Sequence, residues 1–502
     1  MKRVLLVFPR AASGVDGPRP VFTSHPPSLL QRCKETLLQN LIKRAQFAVP
    51  NMALMLLSSI EVEGVEQRIC DMRFDKLPLH EHWDLVGITV HTGAATAAFE
   101  VARQFRQRGM KVVLGGPHVT LFPERCAKEA DVIVVGEADD IWQEVLQDLK
   151  HNCLKRRYQA TELPDLSVPR PIKKKALNIK NYFTTNLIQT SRGCPYRCDF
   201  CNVYVMNGGT VRHRPIEHVV AEVERFLKDD KRVFFIVDDT VNADPRYAKE
   251  LYKRLIPYKI RWVGQATTLL GQQEELLKIF ADSGCVGLLI GIESVTDASN
   301  HQHRKKQNSE RTLARNIKAI RSAGICVYGS FIYGLDGDTV ETAQALYDFI
   351  EDTHIDVPGI NLLRPIPGTA LFKRLAEEGR LLFDKDDIEA FRYSWGQEMQ
   401  CKPKLMSVET FIEAYTSLTK RLYTFPKAIK RAMHAPCIPH IILMFNLSYI
   451  YMYGLSRRDL FAQREKLRQG LHGQNSQAQS GERKPAELDI AALSSETEKS
   501  IL

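Results

Sequence analysis

No run of the chain is apolar for long enough to span a bilayer. The best candidate, Ile438 to Leu455, has 18 residues and is broken by His440, Asn446 and Ser448, where a spanning helix needs about 20 predominantly apolar ones. A secretory signal core is not expected either, because Met1-Lys2-Arg3 runs into Val4–Phe8, too short an apolar stretch. Neither sign of charge dominates: Lys+Arg 69 against Asp+Glu 59 leaves +10 over 502 residues. That excess suits an anionic ligand, a membrane surface or nucleic acid, and selects none of them. The eleven cysteines are an odd set, so a disulfide framework is not the first reading. The expected compartment is the reducing cytosol, where clustered cysteines mean metal or catalysis. With 44% hydrophobic and 25% charged residues, a wholly disordered chain and a bulk membrane protein are both excluded. At roughly 100–200 residues per domain, the length gives two to four domains.

What is present starts with alternation. Residues 1–150 place short apolar runs (4–8, 67–72, 85–90, 111–114, 132–135) between amphipathic stretches (53–60, 95–107, 123–129). This pattern predicts a parallel, doubly wound α/β sheet, whose ligands bind beyond the carboxyl ends of the strands. Those ends carry His91-Thr92-Gly93-Ala94, Gly115-Gly116-Pro117-His118-Val119-Thr120 and Gly136-Glu137-Ala138-Asp139. Glycine allows a close backbone approach, and three such ends in succession suit a large flat ligand.

The most specific signal is Cys194-Pro-Tyr-Arg-Cys198-Asp-Phe200-Cys201. Three thiolates at C-x3-C-x2-C hold three irons of a cubane and leave the fourth open to a ligand. A structural zinc site would be closed by a fourth residue. Cys33, Cys70, Cys126, Cys153, Cys285, Cys326, Cys401 and Cys437 read mostly as small buried hydrophobes. Downstream, strands at 186–191, 233–237, 260–263, 286–292, 327–332 and 359–363 alternate with amphipathic helices. Six βα units predict a partial barrel with its chemistry at the carboxyl mouth. Asp238-Asp239, Gln265, and Glu293-Ser294 fall at those strand ends.

The cysteine triplet, with Phe200 before the last cysteine, resembles the radical S-adenosylmethionine superfamily. The Gly-Gly-Pro-His and Val-Val-Gly-Glu strand ends resemble the cobalamin-binding domain of enzymes in that superfamily. The resemblance implies a [4Fe-4S] cluster on Cys194, Cys198 and Cys201, whose open iron chelates S-adenosylmethionine. It implies further S-adenosylmethionine contacts from Phe200, Asp239 (facing the ammonium), Gln265, Glu293 and Ser294. It implies cobalamin against Thr92, Gly93, Gly115, Gly116, Pro117, His118, Val119, Gly136 and Glu137. The usual cobalamin module carries Asp-x-His-x-x-Gly after its first strand, and Pro9 to Leu30 has no such pattern. His25 lacks the spacing, so the resemblance implies cobalamin without a protein imidazole on its lower face.

The expected organisation is a cobalamin-binding domain at 1–150, a linker at 151–182, the partial barrel at 183–380, a helical substrate-covering region at 381–470 and a disordered tail at 471–502. The helical region is rich in aromatics: Phe383, Phe391, Tyr393, Trp395, Phe411, Tyr415, Tyr423 and Phe425. The stretch Ile438–Leu455 reads as a buried helix. Lys427, Lys430 and Arg431 before it, and Arg457 and Arg458 after it, would suit lipid headgroups, hence an expected place in the cytoplasm with peripheral contact to the inner membrane. Within the family the chain is most similar to the hopanoid C-2 methylase group. That similarity implies methylation of an unactivated carbon, by way of methylcobalamin and a 5′-deoxyadenosyl radical, on a lipid-like or secondary-metabolite small molecule, with flavodoxin or ferredoxin as reductant. The catalytic residues beyond the cofactor sites are not legible. A cobalamin-dependent cyclase or ring-rearranging enzyme would share every motif. A cobalamin sensor would not need Asp239 and Glu293. Nucleic acid is not an expected partner, because no second three-cysteine site and no basic RNA-binding appendage is present.

Overall fold

The computed structural model describes residues 1–10, 49–229, 231–303, 308, 310–388, 391 and 398–468. The first sheet holds β1 (Lys2–Phe8), β2 (Val65–Asp71), β3 (Leu85–Thr89), β4 (Lys111–Gly115), β5 (Val132–Val135) and β6 (Arg157–Gln159). All pairs are parallel, in the order β2-β1-β3-β4-β5-β6. Strand β1 is apolar from Val4 to Phe8 because both its faces are covered there. Leu5 and Val7 join one core with Phe99 and Phe105 of helix Ala95–Arg106, while Val4 and Leu6 join another with Trp142, Val145 and Leu149 of helix Ile141–Lys150. The chain leaves β1 toward β2 on one side and returns to β3 on the other. The strand order therefore reverses at β1/β3, which is where such sheets take ligands. Strand β6 lies in the segment expected as linker. Three residues with one buried side chain, Tyr158, between the exposed polar Arg157 and Gln159 carry too little periodicity to be read from sequence.

The second sheet runs β14-β13-β12-β11-β10-β7, every pair parallel and every neighbour sequential. Its strands are β7 (Leu187–Ile188), β10 (Val233–Ile236), β11 (Arg261–Ala266), β12 (Cys285–Glu293), β13 (Cys326–Tyr333) and β14 (Val357–Leu362). Helices at 216–227, 245–255, 274–282, 310–322 and 340–353 connect them and close one core with the sheet. Among the described residues β7 and β14 do not pair, so the barrel is an open arc. A two-residue antiparallel ladder, β8 (Ser191–Arg192) with β9 (Arg212–His213), brackets the cysteine loop. It is too short to show in the sequence pattern.

An open arc leaves β14 with a free edge, which must be satisfied or covered. Here side chains do both. Asn446 Nδ2 donates to Asp356 O (2.9 Å) and Tyr423 Oη to Pro358 O (2.9 Å). Tyr453 Oη accepts from Ile360 N and donates to Ile360 O, both at 2.7 Å, and Tyr415 Oη reaches the same carbonyl at 3.3 Å. These groups come from helices Val408–Leu422 and Pro439–Arg468 and the turn after the first of them. The latter helix turns Ile442, Asn446, Tyr449, Tyr453, Ser456 and Leu460 inward. The polar residues that interrupt Ile438–Leu455 are thus partly explained: Asn446 serves the edge, and His440 stays exposed. Among the described residues no helix is long and apolar enough to cross a membrane. The helical region expected over 381–470 begins, among the described residues, at Val408. Tyr393, Trp395 and the tail from 471 lie outside the described residues.

Tyr453→Phe deletes the hydroxyl that serves both groups of Ile360. The stranded N–H should cost about 1–3 kcal/mol, read as a lower denaturation midpoint at unchanged slope.

Candidate functional site

The carboxyl ends of the first sheet gather the cobalamin candidates, with different fates. Gly116 has φ 104°, and a Cβ there would stand 3.0 Å from Thr89 Oγ1 and from Val90 N. Gly136 has φ 89°, with a Cβ 3.0 Å from that of Ala160. Both glycines are required by the turn itself. Gly115 is not: its Cβ would meet only ordinary contacts at 3.7 Å or more. His118 is fully buried between Phe99 and Phe122, its Nδ1 3.2 Å from the buried Thr92 Oγ1. Val119 is buried as well. Thr92, His118 and Val119 are thus packed into the protein just behind the strand ends. Helix Pro117–Leu121 starts immediately after Gly116 and turns His118 and Val119 inward. Gly93, Gly115 and Pro117 remain part-exposed on the rim, beside the exposed His91. The Pro9–Leu30 segment, His25 and Cys33 lie outside the described residues.

Glu137 reaches the second module. It pairs with Arg192 and Arg212, and Asp139 holds Arg192 by two bonds of 2.7 and 2.9 Å. Arg192 Nε donates to Gln189 Oε1 at 2.7 Å. Burial disfavours the Arg192 charge, but the two carboxylates outweigh it and hold the guanidinium firmly protonated. Arg192 stands two residues before Cys194, so this bridge binds the end of β5 to the cysteine loop. Neither arginine was picked out from the sequence. The available signal was an acidic strand end in one unit and basic residues flanking the loop in the other.

The loop itself is positioned by β10. Asp238, fully enclosed, accepts Thr190 N (2.6 Å), Ser191 Oγ (2.8 Å) and the Thr190 hydroxyl. Burial raises its pKa, and these bonds oppose the shift. Asp239 Oδ2 accepts Gly193 N at 2.9 Å. Its pKa is also raised by burial, opposed by the Gly193 bond and Arg192. Gly193 has φ 93°, and a Cβ there would lie 2.0 Å from Thr210 O, so no other residue fits. Cys194 Sγ is 3.7 Å from Thr240 Oγ1; Cys198 is buried, while Cys194 and Cys201 are half-buried. Among the described residues no three metal-ligating side chains converge where one ion could sit. A cubane does not ask for that, because each thiolate takes a different iron, and three spaced cysteines in one loop fit it. Of the other cysteines, Cys153 is exposed rather than a buried hydrophobe, its thiol near Asp148.

The remaining candidates line successive strand ends. Gln265 is exposed on β11, on the face opposite the buried Trp262, Gly264 and Ala266. Glu293 ends β12 at φ 64°, beside a register shift against β13. A non-glycine residue held there costs of order 1–3 kcal/mol, a strain typical of binding sites. Ser294 is buried, its Oγ bonded to Thr296 N at 3.2 Å. Phe200 packs part-buried against a cluster of Leu335, Leu363, Leu371 and Leu375. Asp239, Gln265 and Glu293 thus stand on neighbouring strands at one end of the sheet. Ser294 and Phe200 are turned into the protein.

Gly116→Val should destabilise the chain by at least the roughly 1–3 kcal/mol of a strained backbone, read as a lower melting temperature. Gly115→Ala should leave it within about one degree. A differential scanning measurement of both variants decides whether the first glycine of the pair is as constrained as the second.

Three family models match the chain: a B12 binding domain over residues 40–146, the radical SAM superfamily over 188–350, and a domain of unknown function over 369–436. The chain is 30% identical over 350 residues to the bacteriochlorophyllide d C-8(2)-methyltransferase of Chlorobaculum tepidum, covering 66% of this chain and 78% of that one. It is 28% identical over 296 residues to the hopanoid C-2 methylase of Rhodopseudomonas palustris, 57% of this chain and 56% of that one. The matches also include an anaerobic magnesium-protoporphyrin IX monomethyl ester cyclase. Among solved structures, the fold is shared with the radical S-adenosylmethionine methyltransferase TsrM of Kitasatospora setae, with cobalamin and [4Fe-4S] cluster bound. That likeness has a TM-score of 0.56 at 19% identity, over 75% of this chain and 78% of that one. With both modules matched in order, and a methyltransferase related across most of its length, the chain belongs to the cobalamin-dependent radical S-adenosylmethionine methyltransferases, with a [4Fe-4S] cluster, S-adenosylmethionine and cobalamin as its cofactors.

Proposed function

We propose that the protein transfers a methyl group to an unactivated carbon of a small, largely apolar molecule, lipid-like or a secondary metabolite. The observation that carries this reading is the Arg192 bridge. It ties the end of β5 to the loop preceding Cys194, so the carboxyl ends of both sheets serve one reaction space. Cys194, Cys198 and Cys201 hold the cluster. Asp239 and Glu293 offer carboxylates to the ammonium and hydroxyls of S-adenosylmethionine, with Gln265 beside them and Phe200 and Ser294 shaping the wall behind. Gly93, Gly115 and Pro117 on the rim would hold cobalamin. When bound, these cofactors supply the methyl group and the radical that removes a hydrogen from the substrate. The chain's own residues orient them and keep the two sites facing. The electron comes from a flavodoxin or ferredoxin.

The test is anaerobic incubation with S-adenosylmethionine deuterated in its methyl group, together with a lipid and small-molecule extract. A product three deuteriums heavier is expected, and 5′-deoxyadenosine with it. Replacing Cys194, Cys198 and Cys201 together by Ala should abolish cluster absorption and both products. Iron and cleavage retained in the triple variant would remove the cluster assignment. A product formed without label would replace methylation by cyclisation.

Peripheral membrane contact is part of the same reading, with a revised footprint. Arg431 is buried and Lys427 is held by Glu351 at 2.6 Å, so neither is available to headgroups as expected from sequence. Helix Phe425–Met433 instead shows Phe425 (59% exposed), Ile429 (39%) and Met433 (76%), one turn apart on a single face, beside the exposed Lys430. Such a stripe suits shallow insertion into an anionic leaflet. The protein should co-sediment with phosphatidylglycerol vesicles more than with phosphatidylcholine ones. Replacing Phe425, Ile429 and Met433 by Ser should abolish this, and equal recovery of both proteins would dismiss it.

A further inference from the structure

Asp199 stands between Cys198 and Phe200, and distant residues occupy all four of its hydrogen-bonding groups. Its N–H points to His303 O (3.4 Å) and its carbonyl accepts Leu371 N (3.0 Å). Its Oδ1 lies 2.9 Å from His303 Nδ1, and its Oδ2 3.4 Å from Arg374 Nη2. His303 is 1% exposed. Its other nitrogen, Nε2, accepts Asp336 N–H at 3.2 Å, so the ring proton sits on Nδ1 and is donated to Asp199. The Asp336 carboxylate, fully buried, in turn grips Arg374. Arg380 Nη1 also lies 2.7 Å from Asp336 Oδ1, as an ion pair whose N–H is not aimed at that oxygen. Burial opposes the Asp336 charge, but the two guanidiniums outweigh it and hold the carboxyl below its usual range.

The contacts close a ring: Asp199, His303, Asp336, Arg374 and back to Asp199. It joins the cysteine loop to the segment after β12, the end of β13, and helix Ala370–Glu377. That helix lies within the matched domain of unknown function. The loop from Gly193 to Cys201 has no strand or helix of its own, and segments with few internal bonds open at low free energy.

We propose that this ring is a clamp that holds the cysteine loop in cluster-binding geometry, and that supplying Arg374 and Leu371 to it is a function of the 369–436 module. His303 and Arg374 are positioning residues, since they act through Asp199. The proposal rests on the assignment of Cys194, Cys198 and Cys201 as cluster ligands. Its test is built so that the two can fail separately.

In the full chain without cofactors, amide hydrogen exchange over 194–201 should be at least tenfold faster in His303→Ala than in the native protein. After reconstitution, the same variant should lose iron to a chelator at least tenfold faster, with unchanged cobalamin content. His303→Asn, whose Nδ2–H can donate to Asp199, should recover most of both. Arg374→Ala, at a part-exposed position, carries the same test if His303→Ala does not fold. Native exchange rates over 194–201 in the folded variants overturn the clamp. So does faster exchange with unchanged iron loss, which would leave the ring a packing feature. Iron retained by the triple cysteine variant removes the ligand assignment, while the exchange comparison still reports on the ring.

Discussion

A single guanidinium lies where the two halves of this protein meet. Arg192 is mostly enclosed, and two carboxylates from the end of β5 hold it while its own chain enters the cysteine loop. Removing one member of such a buried set leaves an uncompensated charge, at a cost of about 3–5 kcal/mol. The bridge therefore sets more than stability. Chemistry divided between two cofactors needs both sites to face each other within a few ångströms, and a charge pair buried between the strand ends tolerates little sliding.

The second constraint is the open arc of the barrel. Six strands leave the barrel open and expose the edge of β14. The C-terminal helices solve this without adding a strand, since Asn446, Tyr415, Tyr423 and Tyr453 supply the missing donors and acceptors. The aromatic wealth of that region is thus largely structural. It explains why a helix with an apolar sequence carries polar groups on its buried face.

Much was legible beforehand where local chemistry is decisive. C-x3-C-x2-C has few alternative uses, and several strands of both sheets announced themselves through apolar runs, as in β3, β5 and β14, whereas the edge strand β6 did not. The conspicuous strand-end residues were harder to interpret. Gly116 and Gly136 answer to positive φ and close neighbours, His118 to packing between two phenylalanines, and Glu137 to an arginine of the other module. Residues near a ligand site and residues that build its floor look alike in one dimension.

The sequence by itself determined the fold class, the order of the modules and the cluster loop. These follow from periodicity and from ligand spacing within a few residues, and both are local properties of the chain. Only the tertiary structure decided which residue serves what. The partners of Arg192 lie 53 and 55 positions away, those of Asp199 over 100. A charge or an imidazole has no role until the fold chooses its neighbours, because hydrogen bonds and ion pairs act over a few ångströms in space and are blind to separation along the chain.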